Sequence, residues 1–217
     1  VLQFAVFGKI CYAARGATTA YVYSSDGLIW TTSDLSAQTN DKYAVKFMSA
    51  PNAAGTATVL WKFTTPTTTP NEIYFSSSAI NTTGSWSSVT NVGDTANSIT
   101  NLFYYNDMLN IGKTDSLWWL DADGGTHEMR TDLRNSASAD NFKYVVEYQG
   151  AIYHSLVDGM AEIAGNGYEP MGPLTDIDNI GKIGTVVGMA SDKTWLYVAL
   201  DEGTNSHIYK GKLVKTE

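Results

Sequence analysis

The sequence predicts an all-β fold, and three observations support this. The 217 residues include 25 Thr, 18 Ser, 19 Gly and 13 Tyr, a composition that favours strands and turns over helices. No segment keeps apolar residues at a helical spacing of about 3.6 for three turns. Short strands of alternating or fully apolar character instead recur every seven to twelve residues, bounded by Gly, Asn and Asp.

One strand pattern also recurs with a longer period. The aligned pieces are Lys9–Tyr12, Val59–Lys62, Met108–Ile111, Ala151–His154 and Trp195–Val198. Their third positions are 11, 61, 110, 153 and 197, so the intervals are 50, 49, 43 and 44 residues, close to the length of a four-stranded propeller blade. A β-sandwich is the competing fold, but it does not require the repeat. The sequence therefore predicts a single β-propeller domain over 1–217, with about five blades at approximately 1–37, 38–92, 93–135, 136–176 and 177–217.

Each blade is read as four consecutive strands. In the first blade these are Leu2–Phe7, Ile10–Ala14, Ala20–Ser24 and Leu28–Thr32. In the third they are Ile99–Tyr105, Met108–Gly112, Leu117–Asp121 and Thr126–Arg130. The fifth shows Thr185–Ala190, Trp195–Leu200 and His207–Val214. Its outermost strand is missing, so we expect this blade to have three strands or to be completed by another chain or an absent segment. Because the sequence begins at Val1 rather than Met, a longer parent polypeptide is also expected.

The segment Ser24–Trp30 has the residues of a structured hairpin turn. Asp26 can accept hydrogen bonds from turn amides, Gly27 tolerates a positive φ, and Trp30 can pack beneath the hairpin. The segment resembles a shortened Asp-box, the hairpin motif of sialidase-like and other propellers. A weaker copy places Asn81, Gly84 and Trp86 at the corresponding positions. The resemblance implies a structural role, on the face away from the usual ligand-binding mouth.

In a propeller, the loops from second to third strands and the loops between blades share one face, which usually binds ligands. We call this face the mouth. The side chains predicted to lie there are Arg15, Lys113, Asp115, Asp158, Asp201 and Glu202. The carboxylates are compatible with binding a cation, a sugar or a basic peptide, and also with simple solvation of the loops.

Charge and hydropathy exclude several function classes. The formal charge is −8 and the pI is about 4.8, with no clustered basic surface, so nucleic acid is not an expected partner. No apolar run approaches the roughly 18 residues that span a bilayer, so no membrane insertion is expected. Cys11 is the single cysteine and cannot form an intrachain disulfide.

Catalytic and cofactor motifs are missing from the sequence. His127, His154 and His207 are the only histidines and do not have metal-ligand spacing, so no metal site is expected. The chain has no phosphate loop, dinucleotide fingerprint or nucleophile elbow, so no cofactor is expected. Asp121 and Asp123 begin a segment that suits a hairpin turn better than a calcium loop. A glycosidase would need two suitably spaced carboxyl groups, and a sialidase-like enzyme an arginine cluster, so a glycan-active enzyme is the alternative rather than the main expectation.

The second half of the chain carries a further resemblance. Ile111–Leu117 followed by Leu120–Gly124, then Tyr148–Tyr153 and Trp195–Lys212, look like the repeats of propeller proteins encoded by tailed phages and environmental viruses. This resemblance implies a virion or tail-associated role. The expectation is a non-catalytic structural or adhesive module of a virion or another extracellular assembly, with protein subunits and possibly a glycan as partners. A lectin-like protein and a glycoside hydrolase are the alternatives.

Overall fold

The structure is a computed structural model, and it describes residues 2–33, 43–64, 70–78, 86–88, 91–129, 136–157, 159–164, 167–171 and 184–212. The chain divides into two compact units, Val1–Asn135 and Ser136–Glu217. The described residues form strands and turns and contain no helix, which confirms the all-β prediction. Accordingly, no described segment is a helix long and apolar enough to cross a membrane. Asn81, Gly84 and Asp158 lie outside the described residues.

The first unit contains three four-stranded antiparallel sheets, which we number I to III. Sheet I consists of β1 (Gln3–Phe7), β2 (Ile10–Ala14), β4 (Val22–Ser24) and β5 (Thr31–Thr32). Sheet II consists of β7 (Lys46–Pro51), β8 (Thr58–Phe63), β9 (Ile73–Ser76) and β10 (Ser87–Ser88). Sheet III consists of β11 (Ile99–Tyr105), β12 (Met108–Lys113), β13 (Leu117–Leu120) and β14 (Thr126–Glu128). A short pair, β3 (Gly16–Ala20) with β6 (Tyr43–Ala44), was not predicted.

The second unit contains two antiparallel sheets. Sheet IV consists of β15 (Val145–Tyr148), β16 (Ala151–Leu156), β17 (Gly159–Ala164) and β18 (Gly167–Met171). Sheet V consists of β19 (Thr185–Ser191), β20 (Leu196–Asp201) and β21 (Ser206–Gly211). Within the described residues, sheet V therefore has three strands where the other four sheets have four.

The repeated strand identified in the sequence is the second strand of every sheet: β2, β8, β12, β16 and β20. Its partners explain why it is so apolar. Along β8, Leu60 joins a buried cluster with residues of sheet I, while Val59 and Trp61 join a second cluster with residues of sheet III. Both faces of this strand are therefore covered, and a strand buried on both faces needs apolar residues at successive positions.

The turns inside the sheets follow the same logic. In the β11–β12 hairpin, the two turn residues Asn106 and Asp107 have φ values of 51° and 57°. Positive φ at both central residues is the geometry of a type I′ turn, whose twist matches that of the flanking strands. Asn and Asp tolerate this conformation better than most residues, so the Asn-Asp pair specifies the tight hairpin at this point.

Candidate functional site

Lys113 ends β12 and fixes the connection between sheets II and III. Its side chain is 1% exposed, and its Nζ donates to the carbonyl oxygens of Val92 and Asp94, each at 2.7 Å. The Asp94 carboxylate lies 3.6 Å from the same Nζ. The end of β12 therefore contacts the connection between sheets II and III. However, the ammonium is enclosed by its own chain rather than exposed to a ligand.

The other predicted mouth residues differ in how firmly they are held by hydrogen bonds within the chain. Asp115 accepts a hydrogen bond from the Ser116 hydroxyl at 2.7 Å and is half-buried. Arg15 is exposed, with a long 3.5 Å contact from its guanidinium to the Ala20 carbonyl. In the second unit, Asp201 accepts from the amide of Gly203 at 2.9 Å, within the β20–β21 turn. Most of these polar groups thus support local structure.

Glu202 forms a small cluster with two residues of β21. Its carboxylate accepts from the Tyr209 hydroxyl at 2.5 Å and lies 3.4 Å from Nδ1 of His207. The hydrogen bond to Glu202 raises the pKa of Tyr209, because it stabilises the protonated phenol. The cluster holds the hairpin together at the exposed end of sheet V.

The Ser24–Trp30 hairpin is built around one carboxylate oxygen. Oδ1 of Asp26 accepts from the Ser24 hydroxyl at 2.9 Å and from the amides of Leu28 and Ile29 at 2.8 and 2.9 Å. The amide hydrogen bonds from Ile29 and Leu28 hold the pKa of Asp26 below its usual value. Gly27 has a φ of 75°. This turn geometry accounts for the residue types, while membership among Asp-box proteins remains a prediction.

A cavity of about 290 Å³ lies beside this hairpin. Its lining residues are Ile10, Tyr23, Ser24, Ser25, Asp26, Ile29 and Thr31. Hydroxyl groups, one carboxylate and one tyrosine ring are the groups that recognise small polar ligands such as sugars.

Each histidine has a contact of its own. Nε2 of His127 lies 2.6 Å from the Asp121 carboxylate, whose other oxygen accepts from the amides of Asp123 and Gly125. His154 is fully buried and stacks on Phe142 at 4.6 Å between ring centroids. Within the part of the chain that the structure describes, no group of three or more His, Cys, Asp or Glu side chains is placed to hold a metal ion.

The burial of His154 predicts a pH-dependent stability for the second unit. Burial lowers the pKa of His154 to about 4, although its hydrogen bond to the Ser155 carbonyl opposes the shift. An unfolded histidine titrates near pH 6.5, so the unfolded state binds the proton first as the pH falls. This contribution is complete above pH 6.5 and is lost towards pH 4. We expect a loss on the order of 1 to 2 kcal/mol between pH 7 and pH 5.

Hydrogen exchange of peptides from 141–156, followed by mass spectrometry at the two pH values and corrected for intrinsic exchange rates, measures this effect. The His154→Phe variant is the control, because it keeps an aromatic ring and removes the titrating group. Equal pH dependence in the variant and the parent protein would contradict the assignment to His154.

An apolar surface covers one side of β1. Leu2, Phe4 and Val6 are 56%, 59% and 63% exposed, while Ala5 and Phe7, on the other side of the strand, pack into the cluster shared with sheet II. On the neighbouring strand, the half-buried Cys11 lies opposite Val6 and the buried Ala13 opposite Phe4, and the Trp30 ring lies 6.0 Å from that of Phe4. None of these side chains is charged. We call this surface the β1 face.

Comparison with known proteins bears on the fold. No family model matches the sequence, and no curated protein matches it. Among solved structures, the extracellular domain of a protein described as a hybrid two-component system from B. thetaiotaomicron has a TM-score of 0.68 at 11% identity, over 99% of this chain and 27% of that one. A second such domain from the same organism has a TM-score of 0.65 at 11% identity, over 96% and 28%.

PorZ, a surface component of the type-IX secretion system of Porphyromonas gingivalis, has a TM-score of 0.56 at 11% identity, over 99% of this chain and 26% of that one. These neighbours are β-propeller-like domains. At such low identity the likeness shows the fold alone, and the chain spans about a quarter of the length of these neighbours.

Proposed function

We propose that the chain is a non-catalytic β-propeller module that serves a structural or adhesive role in an extracellular assembly. In this proposal each of the five sheets is one blade. The repeat of consecutive antiparallel sheets supports it, as do the propeller-like neighbours, several of which are extracellular domains. The further proposal of a phage virion or tail rests on the repeat resemblance at Ile111–Leu117 and the later segments.

The observation that carries the proposal is the β1 face. A sheet at the surface of a soluble protein normally presents polar side chains to water, but Leu2, Phe4 and Val6 present an uncharged apolar strand. The opposite side of the same sheet is buried against sheet II. By the same packing rule, we propose that a second apolar sheet surface covers the β1 face in the extracellular assembly.

The polar residues of the mouth support a role without catalysis. Lys113 donates to backbone carbonyls, Asp201 accepts a hydrogen bond from a turn amide, and Glu202 accepts one from the Tyr209 hydroxyl. Groups held in this way maintain loop structure instead of attacking or protonating a substrate. The outer edge of β21 has no partner strand among the described residues, and we propose that a strand from a neighbouring subunit or segment completes this sheet.

The Val6→Lys substitution tests the covered β1 face. If a second sheet surface packs on this face in the assembled protein, a buried ammonium replaces an apolar contact, and the free energy of unfolding is expected to fall by about 1 to 2 kcal/mol. Leu28→Lys is the matched control, because Leu28 is 86% exposed at the hairpin tip. Urea denaturation measures both variants. An effect of Val6→Lys no larger than that of Leu28→Lys would show that this face is open to solvent.

The functional role is tested on the native protein. A structural subunit is expected to copurify with an ordered particle and to hydrolyse no glycoside. The cavity beside Asp26 favours a glycan-binding protein as the second candidate, and retention on a glycan array without turnover would support that role instead. Hydrolysis that disappears in folded Asp115→Asn or Asp201→Asn variants would contradict the non-catalytic proposal.

A further inference from the structure

Two lysines of the first unit are buried, and each ammonium group donates to backbone carbonyls. Lys62 is 0% exposed, and its Nζ donates to the Tyr43 carbonyl at 3.0 Å while lying 4.5 Å from the centroid of the Trp86 ring. Lys113 is equally enclosed and donates to two carbonyl oxygens. A buried ammonium needs such acceptors, because the loss of hydration is costly otherwise.

Lys46 has fewer acceptors. It begins β7, is half-buried, and donates through Nζ to Oδ1 of Asn101 at 2.7 Å. That oxygen also accepts from the Leu102 amide at 2.9 Å. An ammonium has three N–H donors, and among the described residues Lys46 has no second acceptor and no carboxylate partner. Burial lowers the pKa of Lys46 to about 8, so the amine is still mostly protonated at pH 7.

The charged groups on the neighbouring strands β8 and β12 do not pair with Lys46 and do not shift its pKa. Lys62 is the charged residue of β8, and Lys113 is the charged residue of β12, which lies in the same sheet as Asn101. Both ammonium groups donate to backbone carbonyls. Neither adds an electrostatic contribution to the pKa of Lys46, whose cause is burial alone. As far as the described residues go, Lys46 is thus a partly buried cation without a counter-ion, in a protein with a net charge of −8.

Asn101 contributes a second donor. Because Lys46 can only donate, the amide oxygen of Asn101 must face it, which fixes the orientation of the amide. Its Nδ2 group donates to none of the described residues. Two donor groups, one of them charged, therefore lie together on β7 and β11, the first strands of neighbouring sheets.

The pair lies at the loop end of these sheets. Lys46 is opposite Phe63, where β8 ends, and Asn101 is opposite Gly112, next to Lys113 and its contact with the connection between sheets II and III. This end of the first unit is the one predicted to contribute to the mouth. The sequence missed both residues because they are 55 positions apart and belong to no motif.

We propose that Lys46 Nζ and Asn101 Nδ2 form a binding site for a small oxyanion, a carboxylate or a phosphate group. An oxygen of either group supplies the acceptor that Lys46 lacks, and its negative charge neutralises the ammonium. The site is independent of the structural role proposed above, because it requires neither a covered β1 face nor a completed sheet V.

Nuclear magnetic resonance of protein labelled at the lysine side chains tests the site, with acetate and inorganic phosphate as probes and the ionic strength held constant with sodium chloride. We expect a saturable shift of the Lys46 Cε resonance. We also expect the pKa of Lys46 to rise by about half a pH unit at saturation, which corresponds to roughly threefold tighter binding to the protonated amine. The exposed Lys143, paired with Asp140 at 3.2 Å, is the internal control.

Asn101→Asp is the second arm. The new carboxylate would take the place of the amide, which gives Lys46 a counter-charge and removes the Nδ2 donor, so this variant is expected to raise the pKa of Lys46 without any probe and to abolish the response to both anions. A response to acetate alone assigns a carboxylate ligand, and one to phosphate alone assigns a phosphate ligand. The proposal is overturned if Lys46 responds no more than Lys143, or if chloride alone reproduces the shift.

Discussion

Replacing Lys113 with methionine is expected to lower the free energy of unfolding by about 3 kcal/mol. Methionine matches the length of the side chain but cannot donate to the carbonyls of Val92 and Asp94, which Lys113 binds at 2.7 Å. Because the ammonium is 1% exposed, water does not readily replace it as a donor. The connection between sheets II and III therefore loses two hydrogen bonds from a buried donor.

Urea denaturation followed by tryptophan fluorescence measures this effect, since five of the six tryptophans lie within residues 1–135. Lys143→Met is the control, because its exposed pair with Asp140 contributes no more than about 0.5 kcal/mol. If the two variants lose the same small amount of stability, Lys113 does not hold the connection between sheets II and III, and its side chain would then be an exposed loop charge.

Prediction from the sequence succeeds where burial imposes a pattern of residue types. The second strand of each sheet could be predicted because it is buried by neighbouring sheets, and this burial imposes a largely apolar pattern such as that of Val59–Phe63, in which Lys62 is the one charged residue. The outer strands β5 and β10 have two residues each and are largely polar, so they leave almost no pattern. The all-β architecture was therefore visible, whereas the extra pair of β3 and β6 was not.

The candidate site was harder to predict for a related reason. The acceptors of Lys113 are backbone carbonyls about twenty residues upstream, and every residue has such a carbonyl, so no residue type marks the contact. The sequence could identify Lys113 as a charge near a loop, but not as a buried one. In contrast, the turn at Asp26 could be predicted from the sequence, because its hydrogen bonds join residues only two or three positions apart.

A second large effect is expected where the same connection passes under Trp118. Gly93 has a φ of 60°, and a Cβ atom there would lie 2.6 Å from Cζ2 of Trp118 and 3.1 Å from Nζ of Lys113. The indole is not free to move away, because its Nε1 donates to the Ser116 hydroxyl at 2.8 Å. Gly93→Ala is therefore expected to cost about 3 kcal/mol, the sum of the positive-φ penalty and the steric overlap.

Gly55→Ala separates these two contributions. Gly55 has a similar φ of 68°, but a Cβ atom there meets nothing within 4 Å, so this variant is expected to show only the conformational cost of about 1 kcal/mol. The difference between the two unfolding free energies then measures the close approach of Gly93 to Trp118 and Lys113. An equal loss in both variants would mean that the backbone at 93 can move away from the indole, and the connection would then be held less rigidly than the Lys113 contacts require.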